Sequence, residues 1–155
     1  MASRLQDEIK QTRAFRSVQE EAYLNLVRTA AVLGHSFAES LKEHGITGTQ
    51  YNVLRILRGA GPAGLCRNEV RDRLIAQVPD VTRLLDRMEE AGHVARERDA
   101  TDRRLVTTTI TRAGIRLLDE LEKPVAAVHT RLLGHMTDAQ LAKLIDLLAL
   151  ARERA

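Results

Sequence analysis

Residues 79–114 read PDVTRLLDRMEEAGHVARERDATDRRLVTTTITRAG, and this stretch decides the fold. Its first part predicts a helix that has Pro79 in its first turn and continues to Ala91. Proline is favoured at the first helical position, and Gly92 is a typical left-handed residue after a helix end. Four apolar residues recur at i, i+3, i+4 and i+7, so one face of this helix must be buried. They are Val81, Leu84, Leu85 and Met88.

The second part of the stretch changes from a helical to a strand-like pattern. Residues 94–98 and 105–110 are rich in β-prone side chains, and the polar residues 99–102 separate them. They predict a β-hairpin, which is the only one that the sequence supports. Thr111 then opens a long helix to about Leu133, with Pro124 inside it.

The sequence on either side predicts further helices from their capping signals. Ser17 with Glu20 fits a capping box and opens a helix to about Lys42. The same spacing recurs at Thr47 with Gln50 and at Thr137 with Gln140, and a short helix spans about residues 67–75. Val53, Leu54 and Leu57 are expected to face inward, and Val70 and Leu74 lie one turn apart. Apolar residues also recur at helical spacing on the first and last of these helices, at Leu24, Val27, Ala31 and Phe37 and at Leu141, Leu144, Ile145 and Leu148.

Length and composition predict a single cytoplasmic domain over residues 1–155. Hydrophobic residues make up 44% of the chain and charged residues 29%, which is an ordinary globular balance. Aromatic residues make up only 3%, and a chain rich in Leu, Ala, Arg and Glu favours helix. No apolar run approaches the roughly 20 residues that a membrane span needs. We therefore expect a soluble protein with no membrane partner.

The basic residues of the chain are mostly arginine rather than lysine, and this preference bears on the possible binding partner. Twenty of the 24 are arginine, and every basic residue between Lys42 and Lys123 is arginine. The planar guanidinium suits phosphate oxygens and guanine edges, although a GC-rich genome would produce the same bias. The positions of the arginines therefore have to separate these two explanations.

Two short helices, a longer helix and a hairpin, enclosed by long terminal helices, are typical of a winged helix-turn-helix. In that arrangement the second helix of the pair enters the DNA major groove. At 100° per residue, the face of the helix opposite the apolar stripe carries Thr82, Arg83, Asp86, Arg87 and Glu90. Arg96 and Arg98 lie on the first strand of the hairpin, and Asp102, Arg103 and Arg104 lie at its tip, from which an arginine can reach a minor groove. A solvated surface held by local ion pairs would carry the same charges.

The sequence resembles the MarR family of bacterial transcriptional regulators. GITGTQYNVLRIL at residues 45–57, VTRLLDRMEEAG at 81–92 and DATDRR at 99–104 carry the resemblance, which covers about residues 20–150. It implies a mainly α (α+β) fold, with a winged helix-turn-helix lobe at about 47–110 and dimerisation helices at about 17–46 and 111–152. It also implies a homodimer on a near-palindromic double-stranded DNA operator. The expected DNA-binding residues are Pro79, Asp80, Thr82, Arg83, Arg87, Asp102, Arg103 and Arg104, with Arg104 in the minor groove.

The resemblance further implies a small aromatic or anionic effector. Members of the family bind such molecules between the dimerisation helices and the winged lobe. Plausible lining residues here are His35, Phe37, Tyr51 and Arg55, each of which packing or surface exposure explains equally well.

Other chemistry has little support in the sequence. Cys66 is the single cysteine, and a structural, half-buried role is favoured over a redox sensor. The five histidines lack metal-ligand spacing, and no nucleophile–base motif or phosphate-binding glycine loop is present. We expect no catalytic residue, metal or cofactor, and hence no enzyme.

Two functions remain, and the hairpin tip separates them. The first is a ligand-responsive regulator, expected to be a repressor. The alternative is a winged-helix assembly module that does not use its wing on DNA, and such a module has no need of arginines at the tip.

Overall fold

The computed structural model describes residues 4–98 and 105–153. Within them the chain forms seven α-helices, one short 3-10 helix and three strands. The helices are α1 (Arg4–Glu8), α2 (Val18–Lys42), α3 (Gly48–Ala60), α4 (Arg67–Arg73), α5 (Val81–Glu90), α6 (Arg112–Leu133) and α7 (Asp138–Arg152), the 3-10 helix is Gly61–Ala63, and the strands are β1 (Leu65–Cys66), β2 (Val94–Arg98) and β3 (Val106–Ile110).

Helix starts follow the capping signals of the sequence. The boxes at Thr47 with Gln50 and at Thr137 with Gln140 are complete, since side chain and backbone exchange both hydrogen bonds. The box at Ser17 is only half formed. Its hydroxyl accepts the Glu20 N–H at 3.1 Å, but the Glu20 carboxylate accepts the backbone N–H of Arg16 at 2.6 Å instead of that of Ser17.

Two helix boundaries were predicted wrongly, and in both cases a side chain explains the difference. α5 begins at Val81 and leaves Pro79 outside the helix, because the Asp80 side chain caps it by accepting the Arg83 N–H at 2.9 Å. α4 ends at Arg73 rather than at Ile75, whose N–H donates to a side chain of α3. Residues 74–80, between α4 and α5, are therefore outside any helix.

The three strands form an antiparallel sheet in the order β1-β3-β2. The predicted hairpin of β2 and β3 is confirmed, with Val94 opposite Ile110 and Arg98 opposite Val106. β1 was not predicted, because two residues are too few to show an alternating pattern. It adds Cys66 to the sheet opposite Thr107. This arrangement of α3, α4, α5 and the sheet is a winged helix-turn-helix, as predicted.

One apolar core lies between α3, α4, α5, the sheet and α6. The inward-facing stripes predicted for α3 and α5 are confirmed, with Leu84 partly buried and the others buried. The buried side chains of the core are Leu41, Ile46, Val53, Leu54, Leu57, Leu65, Val70, Val81, Leu85, Met88, Val94, Leu118, Leu121 and Val125. This core fixes the orientation of α5, the helix that carries the predicted DNA-reading face.

The apolar residues of α2 and α7 lie largely outside this core. Val27 of α2 is 48% exposed, Ile145 and Leu150 of α7 are 65% and 61% exposed, and no residue of α7 is buried. The stripe of Leu24, Val27, Ala31 and Phe37 on α2 is therefore half-buried or exposed in a single chain. No helix in the described part of the chain is both long enough and apolar enough to cross a membrane.

Candidate nucleic-acid interface

α5 presents a polar face to solvent because its opposite face is fixed in the core. Val81, Leu85 and Met88 are buried, while Thr82, Arg83 and Arg87 are exposed. Arg83 and Arg87 are one turn apart, so both guanidinium groups project from the same side of the helix. The structure thus brings three of the predicted DNA-binding residues together on one accessible surface.

The N-terminal end of α5 combines a cap with a contact from the neighbouring helix. Pro79 and Asp80 are exposed, and the Asp80 carboxylate is engaged as the helix cap. The hydroxyl of Thr82 accepts a hydrogen bond from Nη1 of Arg67 at 3.3 Å. Arg67 is exposed and begins α4, so it adds a guanidinium beside the start of α5.

Arg67 was not predicted as a site residue from the sequence, although a signal was present. A cation at the N-terminal end of a helix opposes the helix macrodipole. The position of Arg67 at the start of α4 was therefore the available signal.

The connection between α4 and α5 is fastened to α3. Oδ1 of Asn52 accepts the backbone N–H of Ile75 at 3.0 Å. The other side of α3 is buried in the core. The hydrogen bond to Asn52 therefore holds the connection that leads to α5 against a helix that is itself fixed in position. The Ile75 side chain itself is almost fully exposed.

Arg96, on the first strand of the hairpin, points towards α5. Its Nη2 lies 2.6 Å from Oδ1 of Asp86 and 2.7 Å from Oε2 of Glu89, both on α5. Its Nε and its backbone N–H also donate to the Glu89 carboxylate, at 2.9 and 3.1 Å. The hydrogen bonds that Arg96 donates to the Glu89 carboxylate, with that to Asp86, raise the pKa of Arg96 above its ordinary value. Two carboxylates one turn apart on the facing helix turn this side chain inward.

The predicted tip of the hairpin, with Asp102, Arg103 and Arg104, lies outside the described residues. The strands that flank it are described and remain paired up to Arg98 and Val106. Arg98 is exposed at the end of β2, next to the tip in sequence.

The predicted effector residues are only partly brought together. The rings of Phe37 on α2 and Tyr51 on α3 are 5.8 Å apart in an edge-to-face arrangement. Arg55 is exposed one turn after Tyr51 on the same side of α3. His35 is exposed two residues before Phe37, about 200° around α2, and therefore points away from this cluster.

A third ring completes the cluster and was missed as a member of it. His129 on α6 stacks on Phe37, with the ring centres 5.9 Å apart and the planes 5° from parallel. Three helices thus meet at one group of rings, which we call the aromatic cluster: Phe37, Tyr51 and His129.

Cys66 is half-buried and occupies the position before α4. Its backbone N–H donates to Oε2 of Glu69 at 2.7 Å, and this hydrogen bond lowers the pKa of the Glu69 carboxyl. Within residues 4–98 and 105–153, no group of three or more His, Cys, Asp and Glu side chains could hold a metal ion.

Comparisons with known proteins place this geometry among transcriptional regulators. A model of the MarR family matches residues 44–105. YkoM, an uncharacterised HTH-type transcriptional regulator of Bacillus subtilis strain 168, is 34% identical over 113 residues, which cover 70% of this chain and 71% of YkoM. The crystal structure of a MarR transcription factor from Planctomyces limnophilus is 40% identical, with a TM-score of 0.69 over 88% of this chain and 99% of that one. A mutant MarR from E. coli, crystallised with operator DNA, shares the fold at 24% identity, with a TM-score of 0.75 over 97% of this chain and 99% of that one.

Proposed function

The chain belongs to the MarR family of DNA-binding transcriptional regulators, and we propose that it is a ligand-responsive repressor that binds its operator as a homodimer. The observation that carries this proposal is the exposed face of α5. It presents Thr82, Arg83 and Arg87 to solvent from a helix whose other face is buried in the core.

In this proposal α5 lies in the major groove and reads base edges from its first turns. Arg83 is the residue best placed for bidentate hydrogen bonds to a guanine, which are the commonest specific contact of arginine. Arg87 lies one turn further along and contacts a base edge or a phosphate. Arg67, next to Thr82 at the start of α4, binds a backbone phosphate and fixes the register of the helix.

The hairpin supplies a second contact with DNA. The resemblance assigns Arg104 to the minor groove, whose negative potential attracts guanidinium groups. In this proposal Asp102, two residues earlier, is the expected charge-assisted hydrogen-bond partner of the Arg104 guanidinium, and Arg103 is the expected phosphate contact. The described ends of β2 and β3 lead to this tip.

A homodimer places two such lobes on one operator. The lobe at about residues 47–110 holds α3 to β3, and the helices at about 17–46 and 111–152 join it to a second chain. Exposed apolar side chains on α2 and α7 support this division, since they need a cover that a single chain does not supply. Two recognition helices about one helical turn apart then match a near-palindromic site.

The aromatic cluster supports an effector site for a small aromatic or anionic molecule. It lies where α2 and α6 meet α3, the first helix of the lobe. An aromatic ligand stacks on these rings, and Arg55 on the same side of α3 attracts an anionic group. Binding there shifts the population of lobe spacings away from the one that matches the operator.

Selection from a random-sequence DNA pool with the purified protein tests the proposal. We expect an inverted repeat to be recovered. The Arg83→Ala variant is expected to bind the recovered duplex at least ~10-fold more weakly, because a bidentate base contact contributes about 1–3 kcal/mol and a dimer loses two. Arg112→Ala, which removes an exposed arginine from the start of α6, is the control and should change the affinity much less. Recovery of no sequence above background would favour the assembly module, and equal affinity for Arg83→Ala and the wild type would remove α5 from the interface.

A further inference from the structure

The most extensive ion-pair cluster among the described residues joins the hairpin to the recognition helix. Arg96 of β2 reaches two carboxylates of α5, Asp86 at 2.6 Å and Glu89 at 2.7 Å. Its side chain is 23% exposed, and those of Asp86 and Glu89 are 46% and 39% exposed. Three hydrogen bonds from Arg96 end on the Glu89 carboxylate alone. We call this arrangement the Arg96 clamp.

The clamp adds a directional constraint between α5 and β2, both of which are already held by apolar packing or strand pairing. α5 is already held by Val81, Leu85 and Met88, and β2 is held by Val94 and by its pairing with β3. Apolar packing is non-directional and leaves a helix some freedom to rotate and slide. A planar guanidinium with fixed donors on two carboxylates sets an angle and a distance between α5 and β2.

The charges of the clamp lie beside the face that reads DNA. Taking 100° per residue, Asp86 and Glu89 lie within about 40° of Thr82 around α5, on the side that faces β2. Arg83 and Arg87 lie on the other side of that face. Two carboxylates at this position repel the DNA backbone, which is a disadvantage for binding. Asp86 and Glu89 are therefore expected to have another role that outweighs this repulsion.

Resting on the proposed DNA-binding function, we propose that Arg96 is a positioning residue that joins the recognition helix to the wing. Through Glu89 and Asp86 it fixes the angle at which α5 and the hairpin are presented, so that a major-groove and a minor-groove contact form together. Arg96 itself contacts no base in this arrangement. Its contribution is to specific binding, where both contacts must be in register, and not to the general attraction of the protein for DNA.

The charge of Glu89 gives a test in which the two possible effects have opposite signs. Glu89→Gln removes a negative charge beside DNA, so electrostatics alone would strengthen binding. It also weakens the clamp, which in this proposal weakens binding to the correct sequence. Glu90→Gln makes the same change of charge at the next residue, which is exposed and is not among the ion pairs of the described residues.

The experiment measures fluorescence anisotropy on two duplexes of equal length at one salt concentration. The first is the duplex that the wild-type protein selects from a random pool, and the second is its scrambled sequence. We expect Glu89→Gln to bind the selected duplex at least ~5-fold more weakly than the wild type. Glu90→Gln should bind it as tightly as the wild type or more tightly. On the scrambled duplex neither variant should lose affinity.

A second pair of variants keeps the test valid if Glu89→Gln is poorly folded by circular dichroism. Arg96→Lys keeps the charge but loses the fork that spans two carboxylates, and it should weaken binding to the selected duplex by a similar factor. Arg98→Lys makes the same exchange two residues along β2, at an exposed position, and should stay within ~2-fold of the wild type.

Each outcome has one meaning. Equal binding of Glu89→Gln and Glu90→Gln to the selected duplex would overturn the clamp, as would an equal loss on both duplexes. Equal binding by Arg96→Lys and Arg98→Lys would do the same. Failure of the wild type to select any sequence would instead refute the proposed function, and it is recognised before any variant is measured.

Discussion

Gly64 is constrained in the winged lobe both by its backbone conformation and by the atoms that surround it. It lies between the 3-10 helix and β1, with φ of 64° and ψ of −168°, a backbone conformation that is essentially restricted to glycine. A Cβ atom at this position would lie 2.5 Å from the carbonyl oxygen of Thr108 and 2.7 Å from the Thr107 methyl group. The residue therefore allows β1 to lie against β3.

We expect Gly64→Ala to lower the free energy of unfolding by about 2–3 kcal/mol, because it combines backbone strain with a clash against backbone atoms that cannot move aside. Chemical denaturation of the purified protein measures this change. Gly59→Ala is the matched control, since its added methyl group meets nothing within 4 Å and α3 gains helix propensity. That variant should be about 0.5–1 kcal/mol more stable than the wild type. A similar effect of both substitutions would show that Gly64 is replaceable.

Glu69 makes the stability of the start of α4 depend on pH. Its carboxylate accepts the backbone N–H of Cys66, and this bond lowers the pKa of Glu69 below its ordinary value of 4.5. A group whose pKa is lower in the folded state stabilises the fold above its unfolded pKa. That stabilisation is lost as the pH falls through the folded pKa.

We therefore expect the stability of the wild type to decrease as the pH falls from about 5 to about 3. Glu69→Gln removes the titrating group, so the decrease should be smaller in this variant. Urea denaturation at a series of pH values tests this, with Glu122→Gln on the exposed side of α6 as the control. Identical pH profiles for Glu69→Gln and the wild type would contradict the role of this carboxylate. Glu20, whose pKa is lowered by the Arg16 backbone N–H, accounts for part of the slope that remains.

At the scale of elements, local signals predicted the helices and long-range contacts accounted for the differences. A capping box is complete within four residues, so Thr47 and Thr137 could be identified from the sequence alone. β1 has two residues and exists because it pairs with β3, about forty residues later in the chain. Local periodicity contains no information about such a partner.

The residues of the candidate interface also fall into those that local sequence signals predicted and those that depend on long-range contacts. The polar face of α5 follows from helical periodicity, and the structure exposes Thr82, Arg83 and Arg87 as predicted. The sequence could not show that Arg96 turns towards α5, because its partners are seven and ten residues away on another element. His129 joins Phe37 only through the packing of α6 on α2, so the aromatic cluster was likewise incomplete before the structure was known.

The whole molecule has an unequal distribution of apolar surface. The winged lobe buries its apolar residues in one core, whereas α7 buries none of its side chains. Apolar residues lie on most sides of α7, and Ile145 is 65% exposed. A helix that is apolar around most of its circumference is stable in water only where neighbours cover it. A second copy of the chain is the cover that we propose.

We expect light scattering to give twice the chain mass of 17.3 kDa at micromolar concentration. Ile145→Glu should shift the mass towards that of a single chain, because it places a charge on the apolar side of α7 that carries Leu141 and Leu148. Lys143→Glu is the control, since residue 143 lies about 160° around the helix from Ile145 and is exposed. Because Ile145 is largely exposed in one chain, its replacement should leave the helical content of each chain unchanged, which circular dichroism checks. A wild-type mass of 17.3 kDa would refute the dimer, and a dimer in both variants would place the interface on another side of α7.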